Sequence, residues 1–196
     1  MVVRPPENSK ISVSGNGRDA LITIPYPRPP ASVFPAGAFL VFWLGGWAFG
    51  EISVIRQIAT MPANGATAFL IFWLCAWTVG GGWAMFMVRR VFQRSLPETL
   101  SLDAGGLVHD SGRPPFQMTY GARATPAWSS LFPKRLQRKI DRSQLASLRL
   151  RDGDTRNRLT VDVGADRIEL ARDATDVERE WLFKLISDRF SLAATR

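Results

Sequence analysis

Side chains able to do acid–base, nucleophilic or metal chemistry are few in this chain, and their spacing decides what they can do. His109, Asp110 and Ser111 supply the letters of a catalytic triad. Neighbours on a strand point to opposite faces, so these three cannot line up as a Ser-His-Asp relay. His109 is the only histidine and Cys75 the only cysteine, so neither a multi-cysteine nor a His-based metal site forms within one chain. Asp152, Asp154 and Asn157 resemble the opening of a calcium loop, but the glycine and the distal glutamate of that loop are missing, and a hairpin turn is the simpler reading. No glycine-rich phosphate loop occurs. The chain is therefore expected to be non-enzymatic, with no catalytic, cofactor-binding or metal residues and no cofactor.

One acid stands apart. Glu51 lies inside an apolar run, where a carboxylate is costly and marks a proton, cation or partner contact by default. Its position about four residues from the end of the run favours a hydrated carboxylate paired with Arg56.

The elements around Glu51 explain why it matters. Two apolar blocks, 36–55 and 66–88, each have the length of a bilayer core at 1.5 Å rise per residue, and they carry one charge and none. Neither has the polar face of a soluble core helix. The expected organisation is an N-terminal strand region over 1–30, a transmembrane hairpin over 31–94 and a cytoplasmic domain over 95–196. Arg18 and Arg28 precede the first span, and Arg89, Arg90 and Arg94 follow the second, against Arg56 alone in the link. The positive-inside bias then puts both termini in the cytoplasm, with the chain multi-pass in a bacterial inner membrane. The net charge of +8 has the same origin, and no nucleic-acid partner is expected. Prolines 25, 27, 29, 30 and 35 make a stiff approach, so the first helix is expected to begin at or after Pro35. The N-terminus lacks the apolar region of a signal peptide.

The blocks repeat each other. Residues 38–51, AFLVFWLGGWAFGE, and 68–81, AFLIFWLCAWTVGG, agree at eight of fourteen positions, which implies a pseudo-two-fold axis in an antiparallel hairpin. Gly46 and Gly50 on one span, with Ala76, Gly80 and Ala84 on the other, form small-xxx-small stripes suited to close helix approach. They are expected to join the spans, leaving Trp43, Trp47, Trp73, Trp77 and Glu51 to face a partner or lipid.

Outside the spans the pattern is β-rich. Residues Ile11 to Ile24 alternate around a Gly-Asn-Gly turn, a piece too short to stand alone that is expected to pair with strands after the spans. ETLSLDAGGLVHD reads as two strands, and RSQLASLRLRD, RLTVDV and DRIELA as others. Thr175 and Glu178 make a capping box, and Val177, Trp181, Leu182, Leu185 and Ile186 form the apolar stripe of a C-terminal helix. Between them, 125–140 interleaves Trp128, Leu131 and Phe132 with Lys134, Arg135, Arg138 and Lys139, a composition suited to an anionic membrane surface and equally to a solvated basic loop.

The strand pairs ending in A-T-D-V-E-R-E-W-L-F-K-L-I resemble bacterial pleckstrin-homology-like domains, and the W-L-x-x-W spans are similar to bacterial membrane proteins that carry such domains. The resemblance covers about residues 36 to 190. It implies an α+β membrane protein: a two-helix hairpin plus a small antiparallel β-sandwich or partial barrel capped by a C-terminal helix, used for binding or assembly. The segment from Arg113 to Ile140 departs from the pattern and leaves the strand count open. Accessory subunit or assembly factor of a membrane complex is the function expected, with complex subunits and anionic lipid as partners and a homo-oligomer compatible with the spans. An oligomeric channel or transporter component is the alternative.

Overall fold

The computed structural model describes residues 4–16, 19–28, 31, 33–116, 131–153 and 156–192. The chain is α+β and divides into two compact units.

Among the described residues the first unit holds eight strands in two antiparallel sheets. Five form one sheet in sequence order: β1 (Ser12–Asn16), β2 (Asp19–Ile24), β3 (Glu98–Leu102), β4 (Gly106–Asp110) and β5 (Gln137–Asp141). The pairing of β2 with β3, Ile22 opposite Leu100, joins chain from before and after the long helices. A single helical turn, α3 (Arg142–Leu145), leads to a three-stranded sheet of β6 (Arg149–Arg151), β7 (Arg158–Val163) and β8 (Asp166–Leu170). Strand alternation builds the core: Leu100 and Leu102 on β3, Leu107 on β4, and Leu159 and Val161 on β7 are all essentially inaccessible. β5 has no such alternation, since Ile140 is its one buried residue, and it was not readable as a strand.

Helix α4 (Asp176–Phe190) closes this core. Thr175 Oγ1 accepts from Glu178 N at 3.3 Å and the Glu178 carboxylate accepts from Thr175 N at 2.7 Å, so the capping box is complete. Ser9 adds a bond to the same glutamate at 2.6 Å. The buried face is Leu182, Phe183, Ile186 and Phe190, with Trp181 and Leu185 half-buried beside it. Val177 is corrected: it is 63% exposed, because five residues before Leu182 is about 140° away around a helix. Thr175→Ala removes the acceptor for an orphan N–H and should cost about 1 kcal/mol in a urea melt.

The second unit contains α1 (Val33–Thr60) and α2 (Gly65–Phe92), each of 28 residues, about 42 Å at 1.5 Å per residue. Both are long and apolar enough to cross a membrane. They run beyond the expected limits of 36–55 and 66–88 because Arg56 and Gln57 continue the helical path until Pro62, and Arg89 and Arg90 suit the negative end of α2. Asn64 caps α2, accepting from Thr67 N at 3.1 Å. Phe116 and Leu131 pack with Val33, Met87 and Val91, so they belong with the helices and not with the sheets.

Candidate functional site

The two helices meet in an antiparallel seam whose contacts follow the repeat. Shifting each residue by thirty positions between the copies turns Gly37 into Thr67 and Phe92 into Pro62. Gly37 packs on the Phe92 ring, and Thr67 Oγ1 donates to the Pro62 carbonyl at 2.7 Å. Trp47 and Trp77 exchange with one another and therefore sit at the axis.

There the symmetry breaks. Trp47 lies so close over Gly81 that a Cβ on that glycine would fall 2.0 Å from the indole. In this position Trp47 Nε1 donates to the Trp77 carbonyl at 3.1 Å. The counterpart of Gly81 is Glu51, whose side chain denies Trp77 the same seat. Trp77 instead stacks on Trp73, with ring centroids 4.8 Å apart and planes 20° apart, and meets Trp43 at 6.1 Å. Its buried Nε1 has no hydrogen-bond partner among the described residues.

This reverses the expected assignment of faces. The tryptophans make the seam, although Trp43 and Trp73 remain about one-third exposed. Around Gly46, Gly50 and Gly80 nothing lies within 4 Å of where a Cβ would stand, and Ala76 is exposed, so these residues do not join the helices. Ala84 alone of the five is buried, at 7%. The sequence offered two stripes of small residues and no means of choosing between them; the mismatch of Glu51 with Gly81 in the repeat was the usable signal. Where Gly45 and Gly46 replace Cys75 and Ala76, an open apolar groove runs between Phe42, Trp43 and Trp77.

Glu51 is also placed differently from expectation. Its Oε1 accepts from Thr78 Oγ1 on α2, Arg56 forms no ion pair with it, and its buried Oε2 has no partner among the described residues. The Thr78 hydroxyl also lies 2.8 Å from the Leu74 carbonyl of its own helix turn.

The basic segment divides. Leu131 is 9% exposed and so is not a surface contact. Arg135 is drawn to Asp110, Nε to Oδ1 at 2.9 Å with a second bond from Nη2, and Arg138 pairs with Asp166 at 3.2 Å. Phe132, Lys134 and Lys139 are exposed, while Trp128 lies outside the described residues. The Arg135 hydrogen bond, aided by Gln137 and the Gly112 N–H, holds the Asp110 carboxyl well below the usual carboxylate range. A depressed folded-state value means that this stability is present above about pH 4, the ordinary range, and lost as pH falls towards the lowered one. Arg135→Ala should accordingly lower stability at neutral pH while leaving it nearly unchanged at the acid end, so that the acid side of a stability-versus-pH curve becomes flatter.

In the first unit His109 has a partner that sequence reading missed. Glu98 shares the buried face of β3 with Leu100 and Leu102, and its Oε1 lies 2.9 Å from His109 Nε2, both side chains 3% exposed. The same carboxylate accepts from Ala171 N at 2.8 Å and Arg172 N at 3.2 Å, just past β8. Ala171 has φ +52°, and Arg179 donates to its carbonyl at 3.1 Å and to that of Arg172 at 2.9 Å. A left-handed corner with a side chain is thus gripped from both sides, its N–H groups by Glu98 and its carbonyls by Arg179. Nearby, the Tyr26 hydroxyl donates to the Ser111 carbonyl at 2.6 Å, and burial first, then the charge of Glu98, pushes its pKa above the ordinary tyrosine range. Alternation gave the signal for Glu98: positions 98, 100 and 102 face one way. This cluster ties one sheet to the other.

No protein-family model, curated protein or solved structure matches this chain.

Proposed function

We propose that the chain is a membrane-anchored, non-enzymatic binding protein that serves as an accessory subunit or assembly factor of a bacterial membrane complex. The observation that carries this reading is the outward face of α1 and α2. Gly46, Gly50 and Gly80, the residues best suited to let another helix approach closely, are not used by the helices' own seam. Large apolar side chains flank them, with Phe42 82% and Phe72 73% exposed. Such a surface suits lipid and a partner's membrane helix.

On this reading the arginines flanking the helices favour an inner-membrane location with both termini cytoplasmic. Two antiparallel sheets closed by a C-terminal helix support a pleckstrin-homology-like module for binding. Exposed Phe132, Lys134 and Lys139 fit contact with an anionic leaflet. The test is gentle solubilisation from the native membrane, followed by quantification of proteins that leave at fixed stoichiometry. Gly46→Leu with Gly50→Leu should release the partner while leaving the tryptophan seam folded, as read by near-UV circular dichroism. Unchanged stoichiometry in this variant would remove the glycine face from the proposal.

An oligomeric channel or transporter component is the second reading. The unpartnered Oε2 of Glu51 in an apolar helix favours it. A purified particle of four or more copies supports this reading, and a single copy excludes it.

A further inference from the structure

The outer face of the three-stranded sheet carries arginines that form no salt bridge among the described residues. Alternation sends Leu150, Leu159 and Val161 towards the core, which leaves Arg149, Arg151 and Arg158 on the opposite face. Register sets Arg151 directly opposite Arg158 and Arg149 opposite Thr160. Like charges facing each other across an antiparallel pair destabilise it.

Neighbouring arginines are treated otherwise. Arg156 reaches Glu169 at 2.8 Å, and Arg167 holds Asp162 at 2.7 Å. Arg149 finds only the carbonyls of Ala146 and Leu148, and Arg151 the Thr160 hydroxyl at 3.3 Å. Arg158 has no hydrogen bond or ion pair among the described residues. Of the nearby acids among the described residues, Asp162 is hydrogen-bonded by Arg167 and feels the charges of Arg151 and Arg149 only at longer range, Glu169 is engaged by Arg156, and Asp152 lies exposed in the turn after β6. Thr160, 6% exposed, stands opposite Arg149 in the ladder and accepts from Arg151 Nε, and Arg158 lies two residues before it on the same face of β7.

We propose that Arg149, Arg151 and Arg158, around the Thr160 hydroxyl, form a binding site for a phosphate group. Guanidinium forks match phosphate oxygens two at a time, and a bound dianion removes the repulsion between Arg151 and Arg158. The site stands whether or not the two helices cross a bilayer, and its phosphate can come from a lipid headgroup or from a soluble phosphate.

The experiment uses the full chain in neutral detergent, with inorganic pyrophosphate as probe and chloride at matched ionic strength as reference. Pyrophosphate should raise the melting temperature of the wild type, and Arg151→Gln with Arg158→Gln should bind it about 10- to 100-fold more weakly. Without phosphate that variant should melt above the wild type, because the facing charges are gone. Equal shifts in both proteins, or none in the wild type, overturn the site. Hydrogen exchange of the β6 and β7 amides in phosphatidylcholine nanodiscs then separates the sources. Protection on adding phosphatidylglycerol identifies a headgroup, and protection on adding pyrophosphate alone identifies a soluble phosphate. Protection by single-stranded DNA that grows with oligonucleotide length overturns the proposal in favour of nucleic acid.

Discussion

Glu98→Ala should be the most damaging single substitution in the sheet unit, lowering its unfolding free energy by about 3–5 kcal/mol. The carboxylate serves three donors at once: His109 Nε2, Ala171 N and Arg172 N. Removing it leaves a buried imidazole and two backbone N–H groups without acceptors. The His109 ring fares worst, because its Nδ1 already lacks a partner among the described residues. A loss of this size is a large fraction of the 5–15 kcal/mol typical of a whole domain. Glu98→Gln keeps one acceptor oxygen in place and should lose less. Urea denaturation followed by far-UV circular dichroism measures both, and a loss below about 1 kcal/mol for the alanine variant would contradict the role given to this carboxylate.

The second large effect belongs to the helices. Gly81→Leu places a side chain where the Trp47 indole lies, since even a Cβ would stand 2.0 Å from it. Trp47 must leave, its bond to the Trp77 carbonyl breaks, and the seam opens at its centre. Overpacking of this kind costs about 1–3 kcal/mol, with the lost hydrogen bond in addition. Gly80→Leu, one residue away, is the control, since nothing lies within 4 Å of its Cβ position. Tryptophan fluorescence and near-UV circular dichroism should change strongly for the first variant and little for the second. Equal spectra for the two would mean that Trp47 does not rest on Gly81.

These two sites differ in how readily the sequence revealed them. Glu98 follows from period-two alternation, the same pattern that marks β3, β4, β7 and β8, but nothing local to it names its partner, since His109 lies eleven residues away on the next strand. The capping box of α4 and the two long apolar helices were legible for similar reasons: each is a local pattern with a local physical cause. β5 was not legible, because an edge strand reading Gln-Arg-Lys-Ile-Asp buries one side chain and has no period to detect. The helix seam was legible in composition but not in direction. Small residues recur on more than one side of α1 and α2, and which of them accepts a neighbour depends on where Trp47 finds a carbonyl. Charge patterning misled in a similar way: Arg135 and Arg138 look free in the sequence, yet acids 25 and 28 positions away claim them.

The pairing of β2 with β3 has a consequence for biosynthesis. A ribosome releases β2, then about seventy residues of helix-bearing chain, before β3 can reach its neighbour. Closure across so long an interval is slow, and until it happens β2 exposes an unpaired edge with only β1 beside it. If α1 and α2 enter a bilayer as proposed, β3 meets β2 only when both helices have been threaded and the chain has returned to its starting side. A molecule with one helix inserted keeps its two sheet halves on opposite sides of the lipid and cannot complete the sheet. On that proposal, formation of the β2–β3 ladder would double as a checkpoint for insertion, and chains that fail it would carry an exposed strand edge for proteases to find.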